Sequence, residues 1–151
     1  MTQSTEIQAI KSIRIEDISI GMEASYSQTM TDADVKQFSG LSGDKNPIHM
    51  DDEYAKSSRF KKRIAHGLLS ASFFSALFGT QIPGEGSVYV SQTLKFLRPV
   101  FLGDTVRATV RVKKINLETR RIIFKTICEV KNRIVITGEA EIYQPPKEES
   151  N

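Results

Sequence analysis

Residues 66–80, HGLLSASFFSALFGT, place the strongest constraint on what this chain can fold into. Serine is the only polar residue between Gly67 and Gly79, so a helix built from this stretch is apolar around its whole circumference. Such a helix must be wrapped by protein on most of its sides. It spans only about 18–20 Å, which is too short to cross a bilayer. The stretch therefore predicts a central buried helix, with Gly79 as its C-cap.

The remaining segments predict what wraps that helix. A first strand is expected at 22–30, and a helix follows with Thr31 as N-cap and Gly40 or Gly43 at its end. Residues 51–58 predict a second short helix. Four β-type segments come after the central helix, at 87–97, 104–114, 120–130 and 133–143. This order predicts an α+β domain in which a curved antiparallel sheet wraps around one helix.

The segment at 104–114 shows the alternation of apolar and polar residues most clearly. The side chains expected to point inward are Val106, Ala108, Val110 and Val112. Polar residues occupy the positions between them, as in a strand with one face on a core and one face in water.

Length, charge and cysteine usage narrow the class of protein. A chain of 151 residues predicts one domain, which we place at 13–144 between disordered tails at 1–12 and 145–151. The net charge of +3 is too weak, and its basic residues too scattered, to predict nucleic-acid binding. Cys128 is the single cysteine, which fits a reducing compartment and predicts a cytoplasmic protein. No signal peptide or membrane-spanning run is apparent, so no membrane association is expected.

The stretch SGDKNPIHMDDEYA, residues 42–55, carries the candidate chemistry. Asp44 and His49 lie five residues apart across an Asn46-Pro47 turn signal. Either the stretch is a polar corner, or the corner holds a carboxylate and an imidazole at a fixed separation. An ionised carboxylate accepts a proton, and an imidazole accepts or donates one near neutral pH. We expect Asn46 to support the loop by bonding His49 or the backbone.

Three stretches resemble the MaoC-like, or R-specific, enoyl-CoA hydratases, which have the hot dog fold. They are FSGLSGDKNPIHMDDEYA (38–55), RIAHGLLSASFFS (63–75) and LKFLRPVFLGDTV (94–106). The resemblance implies hydration of trans-2-enoyl-CoA to R-3-hydroxyacyl-CoA in fatty acid metabolism, without a cofactor. It also implies that Asp44 and His49 share the catalytic water and that the Gly67 amide forms the oxyanion hole. It leaves open which of the two residues protonates C2.

Further residues have both a functional and a structural interpretation. Ala71, Ser75 and Phe78 recur at helical spacing and either line an acyl tunnel or only pack in the core. The basic segment 59–63 is either a solvated connector or a contact for CoA phosphates, through Lys62 and Arg63. We expect His66 to be structural. No metal is expected, because the spacing of the two histidines and an acid matches no usual ligand pattern.

Two other functions remain open at this stage. A hot dog acyl-CoA thioesterase usually places its carboxylate on the central helix, and this chain has no acid between His66 and Thr80. A non-catalytic module that binds acyl groups is the second alternative. We expect a homodimer, because pairing removes an exposed sheet edge. Acyl chain length, pathway, and the choice between CoA and acyl carrier protein as the thioester handle are left open.

Overall fold

The computed structural model describes residues 9–147 and shows an α+β fold. A single turn of 3-10 helix at Ile15–Asp17 precedes the first strand. The elements are β1 (Glu23–Thr29), α1 (Asp32–Ser42), α2 (Pro47–Met50), α3 (Asp52–Lys56), α4 (Gly67–Thr80), β2 (Val88–Gln92), β3 (Lys95–Phe96), β4 (Thr105–Asn116), β5 (Arg121–Val130) and β6 (Arg133–Tyr143). The predicted order of strand, helices and strands is confirmed, although the segment predicted at 87–97 forms two strands rather than one.

The six strands form one antiparallel sheet in the order β1-β4-β5-β6-β2, with β3 also paired to β6. Strands β4, β5 and β6 form two consecutive hairpins. The turn between β5 and β6 places Lys131 and Asn132 at positive φ. The predicted inward face of β4 is confirmed, since its four apolar side chains are buried. Both β4 and β5 contain a register shift, which increases local twist and helps the sheet to curve.

Helix α4 lies against the inner face of this sheet. Phe74, Leu77 and Phe78 are fully or nearly fully buried, and Phe78 packs edge-on against Phe124 of β5. The expectation that protein covers most of the helix is confirmed only in part. One stripe is exposed, consisting of Leu68, Ser72, Ser75, Ala76 and Gly79. The prediction of Gly79 as C-cap is wrong, because the helix continues through Thr80 and is capped by Gln81.

Helix α1 begins and ends where the sequence predicts. Thr31 and Asp34 form a reciprocal capping box, in which each side chain accepts a hydrogen bond from the other residue's backbone N–H. Gly43 caps the C-terminus with φ of +80°, a conformation that glycine adopts without steric cost. The chain therefore turns sharply just before Asp44, and this turn positions the candidate site.

The predicted disordered tails lie largely outside the described residues and stay predictions. Within the described part, the backbone of Lys11 bonds to Thr80 and to Glu85, and Ser12 pairs with Gly84. These contacts join the start of the described chain to the end of α4. None of the described helices is long and apolar enough to span a membrane.

Candidate active site

A chain of side-chain-to-backbone hydrogen bonds fixes the turn after α1. The Asp44 N–H donates to Ser42 Oγ, and Asp44 Oδ1 accepts a bond of 3.1 Å from the Asn46 N–H. Asn46 Oδ1 in turn accepts from the Ile48 N–H and caps helix α2, with Pro47 in its first turn. Asn46 thus bonds the backbone, one of the two arrangements expected for it. The stretch interpreted as a loop contains a short helix, and His49 lies on it.

His49 is held firmly, with only 8% of its surface exposed. Its Nδ1–H donates to the carbonyl oxygen of Ile64 at 2.6 Å, because a carbonyl only accepts. In the neutral ring this leaves Nε2 as the nitrogen that carries the lone pair. Burial lowers the pKa of His49 below its usual value, and the bond to Ile64 only partly opposes this. A neutral imidazole with its lone pair on Nε2 can accept a proton there.

Arg63 supports His49 from the other side. Its Nε–H donates to the His49 carbonyl oxygen at 2.7 Å, and Nη2 forms an ion pair with Asp32 at 2.7 Å. The Arg63 side chain is only 9% exposed. Because its donors are engaged in this way, the structure does not bring Arg63 to a phosphate-binding position. Lys62 Nζ lies 5.4 Å from the centre of the Phe101 ring, and Lys62 does not line the cleft that contains His49.

Asp44 and His49 line one cleft. A carboxylate oxygen of Asp44 and one ring nitrogen each of His49 and His66 lie within 4.8 Å of one another. Of the two residues that line the cleft, Asp44 is exposed to solvent and His49 is buried. The other residues that line the cleft are Phe38, Ser42, His66, Gly67, Leu68 and Phe96. The two predicted catalytic residues are therefore close enough to bind one water molecule together.

His66, expected to be structural, contacts both of these residues. Its ring stacks on the His49 ring with the centroids 3.8 Å apart, and its Nε2–H donates to the Asp44 carbonyl oxygen at 2.9 Å. Ser39 Oγ–H donates to the same carbonyl oxygen at 2.8 Å. The close approach of the two histidines was not anticipated from their spacing in the sequence. The expectation of no metal stays a prediction: His49 Nδ1 and His66 Nε2 donate to carbonyl oxygens, and the other nitrogen of each neutral ring carries its lone pair.

Gly67 is the first residue of α4, so its N–H has no acceptor within the helix. The positive end of the helix dipole lies at the same place. A Cβ built on Gly67 would lie 2.4 Å from the ring of Phe96, so a larger residue would force this exposed ring to move. Phe96 is 53% exposed, and it lies between the cleft of Asp44 and a second cleft on its other side. Sequence reasoning took 87–97 as one alternating strand and did not identify Phe96 as a residue of the site.

The three residues proposed for an acyl tunnel differ in exposure, and the tunnel stays a prediction. Ala71 and Phe78 are buried, whereas Ser75 lies on the exposed stripe of α4. Phe78 contacts the rings of Tyr89 and Phe124, as a core residue does. Helical spacing alone does not distinguish a residue that lines a tunnel from one that packs against a sheet.

This chain is similar to known proteins of one family. The model of the MaoC like domain family matches residues 17–138. An (R)-specific enoyl-CoA hydratase of Rhodospirillum rubrum is 48% identical over 132 residues, which cover 87% of this chain and 92% of that protein. The (R)-specific enoyl-CoA hydratase of Aeromonas caviae is 39% identical over 86% of this chain and 98% of its own length.

Solved structures give the same result. The unliganded R-hydratase PhaJ1 from Pseudomonas aeruginosa superposes with a TM-score of 0.86 at 35% identity, covering 94% of both chains. The (R)-hydratase from A. caviae involved in PHA biosynthesis superposes with a TM-score of 0.84 at 37% identity, over 86% of this chain and 99% of that chain. The resemblance inferred from the motifs is confirmed: this chain belongs to the MaoC-like domain family and has the hot dog fold of the R-specific hydratases.

Proposed function

We propose that this protein is an R-specific enoyl-CoA hydratase, a hydro-lyase that adds water reversibly to trans-2-enoyl-CoA. The observation that carries the proposal is the convergence of Asp44 and His49 on one cleft beside Gly67. The names of its relatives support the reaction type, since the proteins at 48% and 39% identity are hydratases or dehydratases of acyl-CoA thioesters.

The chemistry assigns a role to each of these groups. Asp44 and His49 hold one water molecule, and Nε2 of His49 takes a proton as the water oxygen bonds to C3. The pair then returns one proton to C2, so that both added groups derive from water and the enzyme is unchanged. Negative charge that develops on the thioester oxygen is stabilised by the Gly67 N–H and the α4 dipole. Because the two groups and the water are already oriented, several kcal/mol of the barrier are removed before reaction.

One assay separates this function from its alternatives. Purified protein is mixed with crotonyl-CoA, and both the absorbance of the conjugated double bond and the release of free thiol are followed. Hydration removes the absorbance and leaves the thioester intact. A thioesterase releases thiol, and a non-catalytic acyl-binding module does neither. Loss of absorbance without thiol is the expected result, and either of the other outcomes contradicts the proposal.

The pH dependence follows from the environment of His49. Burial lowers its pKa, so the folded protein keeps the ring neutral to a lower pH than the unfolded chain does. We expect kcat/KM to be constant near neutral pH and to fall on the acid side with an apparent pKa below about 6.5. The contribution of His49 to the free energy of unfolding is lost over the same interval, as the pH falls from about 6.5 through the pKa of His49 in the folded protein. The reason is that the unfolded chain binds a proton at His49 more readily than the folded protein does. A kcat/KM profile whose acid limb is centred above pH 6.5 would contradict this assignment.

We further propose that the protein is a homodimer joined along β2. This strand lies at one end of the sheet, and its side chains Val88, Tyr89 and Val90 are 46%, 38% and 41% exposed. An apolar edge of this kind is a template for pairing with another strand, and a second copy of β2 satisfies it symmetrically.

Light scattering is expected to give about twice the chain mass of 16.9 kDa. A lysine at position 90 (Val90→Lys) is expected to shift the protein towards the monomer, because charge on an edge strand opposes pairing. Ser27→Lys, on the opposite edge strand β1, is the control and keeps the wild-type mass. A wild-type mass near 16.9 kDa contradicts the dimer.

The cellular setting is also a proposal. A role in fatty acid metabolism agrees with the acyl-thioester substrates of the relatives. The cytoplasmic location expected from cysteine usage stays a prediction. One relative, from Solanum lycopersicum, is named a 3-hydroxyacyl-[acyl-carrier-protein] dehydratase and is 36% identical over 85% of this chain and 78% of its own length. Both CoA and acyl carrier protein are therefore candidate handles of the substrate.

A further inference from the structure

His66 is a buried residue whose ring and polar nitrogen both face the candidate site. It is the N-cap residue of α4, and only 3% of its surface is exposed. Its ring lies against the His49 ring, with the centroids 3.8 Å apart and the planes 28° from parallel. Its Nε2–H donates to the Asp44 carbonyl oxygen at 2.9 Å. His66 therefore contacts both residues that are proposed to hold the water molecule.

The other ring nitrogen of His66 indicates that packing alone does not account for this residue. Nδ1 is buried, and no group within residues 9–147 forms a hydrogen bond with it. A buried polar atom without a partner costs free energy that an apolar ring of similar size would not incur. The ring of Phe38 lies 4.8 Å away, so these surroundings suit an apolar aromatic ring. The feature of His66 that such a ring lacks is the Nε2–H group.

The Nε2–H group of His66 acts on Asp44 through the backbone. The Asp44 carbonyl oxygen accepts two hydrogen bonds, from His66 Nε2 and, at 2.8 Å, from Ser39 Oγ. Because the peptide unit is planar, holding this oxygen restricts the backbone rotation at Asp44 and helps to fix the direction of its exposed carboxylate. A second donor on one carbonyl oxygen thus restrains a residue that otherwise lies at the surface.

The stacked ring of His66 acts on His49 directly. The His49 ring is anchored at Nδ1 by the Ile64 carbonyl oxygen, and the His66 ring covers one of its two faces. In a closely packed interior, a covered face leaves no room for the ring to turn in that direction. One side chain therefore holds the carbonyl oxygen of Asp44 and the imidazole of His49 at the same time.

We propose that His66 is a positioning residue for hydration, which sets the separation of Asp44 and His49 and exchanges no proton with the substrate. This inference rests on the proposed function, in which those two residues hold one water molecule. Orienting the reacting groups beforehand removes part of the barrier, and a misplacement of about 1 Å costs about 10²-fold in rate. The proposal extends the expectation that His66 is structural by naming what it holds in place.

Two substitutions separate the contacts of His66. His66→Phe keeps a stacked ring and loses the donor, whereas His66→Gln keeps an amide N–H at the place of Nε2 and loses the ring. Each is expected to lower kcat for crotonyl-CoA by about 10- to 100-fold, because the water is misplaced. KM is expected to stay within about twofold of wild type, because the groups that bind the substrate are unchanged.

Stability is measured beside activity, so that a loss of rate is not confused with unfolding. His66→Phe removes a buried atom that has no partner, and it is expected to resist urea at least as well as wild type. Val110→Ala is the control, since it opens a cavity in β4 and lines neither cleft, and it is expected to keep the wild-type kcat. Wild-type kcat in both His66 variants, or losses in KM alone, would overturn the proposal.

The pH profile gives a readout that a purely structural role would not move. Burial is the main cause of the lowered pKa of His49, and the hydrogen bond at Nδ1 opposes it. Of the charged groups around His49, His66 and Arg63 lower its pKa further and Asp44 raises it. Since charge on one ring opposes charge on the other, both His66 variants are expected to move the acid limb of kcat/KM to higher pH. An acid limb that is unchanged in both variants would contradict the proposal.

NMR of the histidine rings separates this inference from the proposed reaction. The chain has only two histidines, so isotope labelling of their ring nitrogens gives two sets of signals. At about pH 8, where imidazoles are neutral, we expect the Nε2–H tautomer for His66 and the Nδ1–H tautomer for His49. His66→Phe is expected to shift the His49 signals.

These NMR results would support the positioning contacts even if crotonyl-CoA is not hydrated. An Nδ1–H tautomer at His66, or His49 signals that do not change in His66→Phe, would refute the positioning role even if hydration is observed.

Discussion

Replacing His49 by Gln or Asp44 by Asn is expected to lower kcat for hydration of crotonyl-CoA by about 10²- to 10⁴-fold in each case. Both substitutions keep the approximate size of the side chain and remove its ability to exchange a proton. The Gln amide lies at the place of Nε2 rather than Nδ1, so this variant loses the bond to the Ile64 carbonyl and its folding is checked separately. Single-turnover absorbance measurements at pH 7.5 give the rate directly, and circular dichroism reports on folding.

The double variant is expected to be hardly slower than either single variant. Two groups that hold and activate one water act as a unit, so removing the second member costs little once the first is gone. Glu53→Gln, an acid-to-amide change on the exposed face of α3, is the control and is expected to keep wild-type activity. Multiplicative losses in the double variant would show that Asp44 and His49 act independently, and the shared-water mechanism would then be wrong.

Phe74→Ala is expected to lower the free energy of unfolding by about 3–5 kcal/mol, the largest stability effect that we expect for a single side chain. Phe74 is completely buried at the centre of α4, between the helix and the concave face of the sheet. Truncation removes buried apolar surface and leaves a cavity that the rigid strands around it cannot fill. Urea denaturation followed by circular dichroism measures the change, at one fixed protein concentration because association with a second copy adds to stability.

Phe96→Ala is the matched comparison, because it removes the same ring from a position that is 53% exposed. It is expected to cost less than about 1.5 kcal/mol, since most of that ring already contacts water. Similar losses at positions 74 and 96 would contradict the placement of α4 as the centre of the core.

Much of this architecture could be predicted because it depends on local sequence patterns, and each of these patterns fits only one local structure. The alternation in β4 assigns each side chain to a face, and a slip of one residue would expose its valines. The capping box at Thr31 and the glycine at 43 fix both ends of α1 without any tertiary contact. The same holds for the segment from Asp44 to His49, where the turn residues bond one another within a few positions.

Other features depend on contacts between residues distant in sequence, and no local pattern encodes them. The ring of His66 reaches His49 because Ile64, two residues before it, is hydrogen-bonded to Ile48 and His49 of α2, and a lone histidine gives no sign of its neighbour. The engagement of Arg63 with Asp32 spans 31 residues, so the arginine appeared available when only the sequence was considered. The exposed stripe on α4 was missed because serine and alanine occur equally well inside a core and at a surface.

The topology of the sheet has a consequence for the order in which the molecule assembles. Strands β4, β5 and β6 form hairpins of short range, whereas Thr29 of β1 meets Thr105 of β4 across 76 residues of chain. Closing so long a loop is entropically costly, so we expect the hairpins to form early and β1 to dock late. Asp44 and His49 are both carried within that loop. The proposed site is therefore expected to be completed in the final step of folding, when β1 pairs with β4.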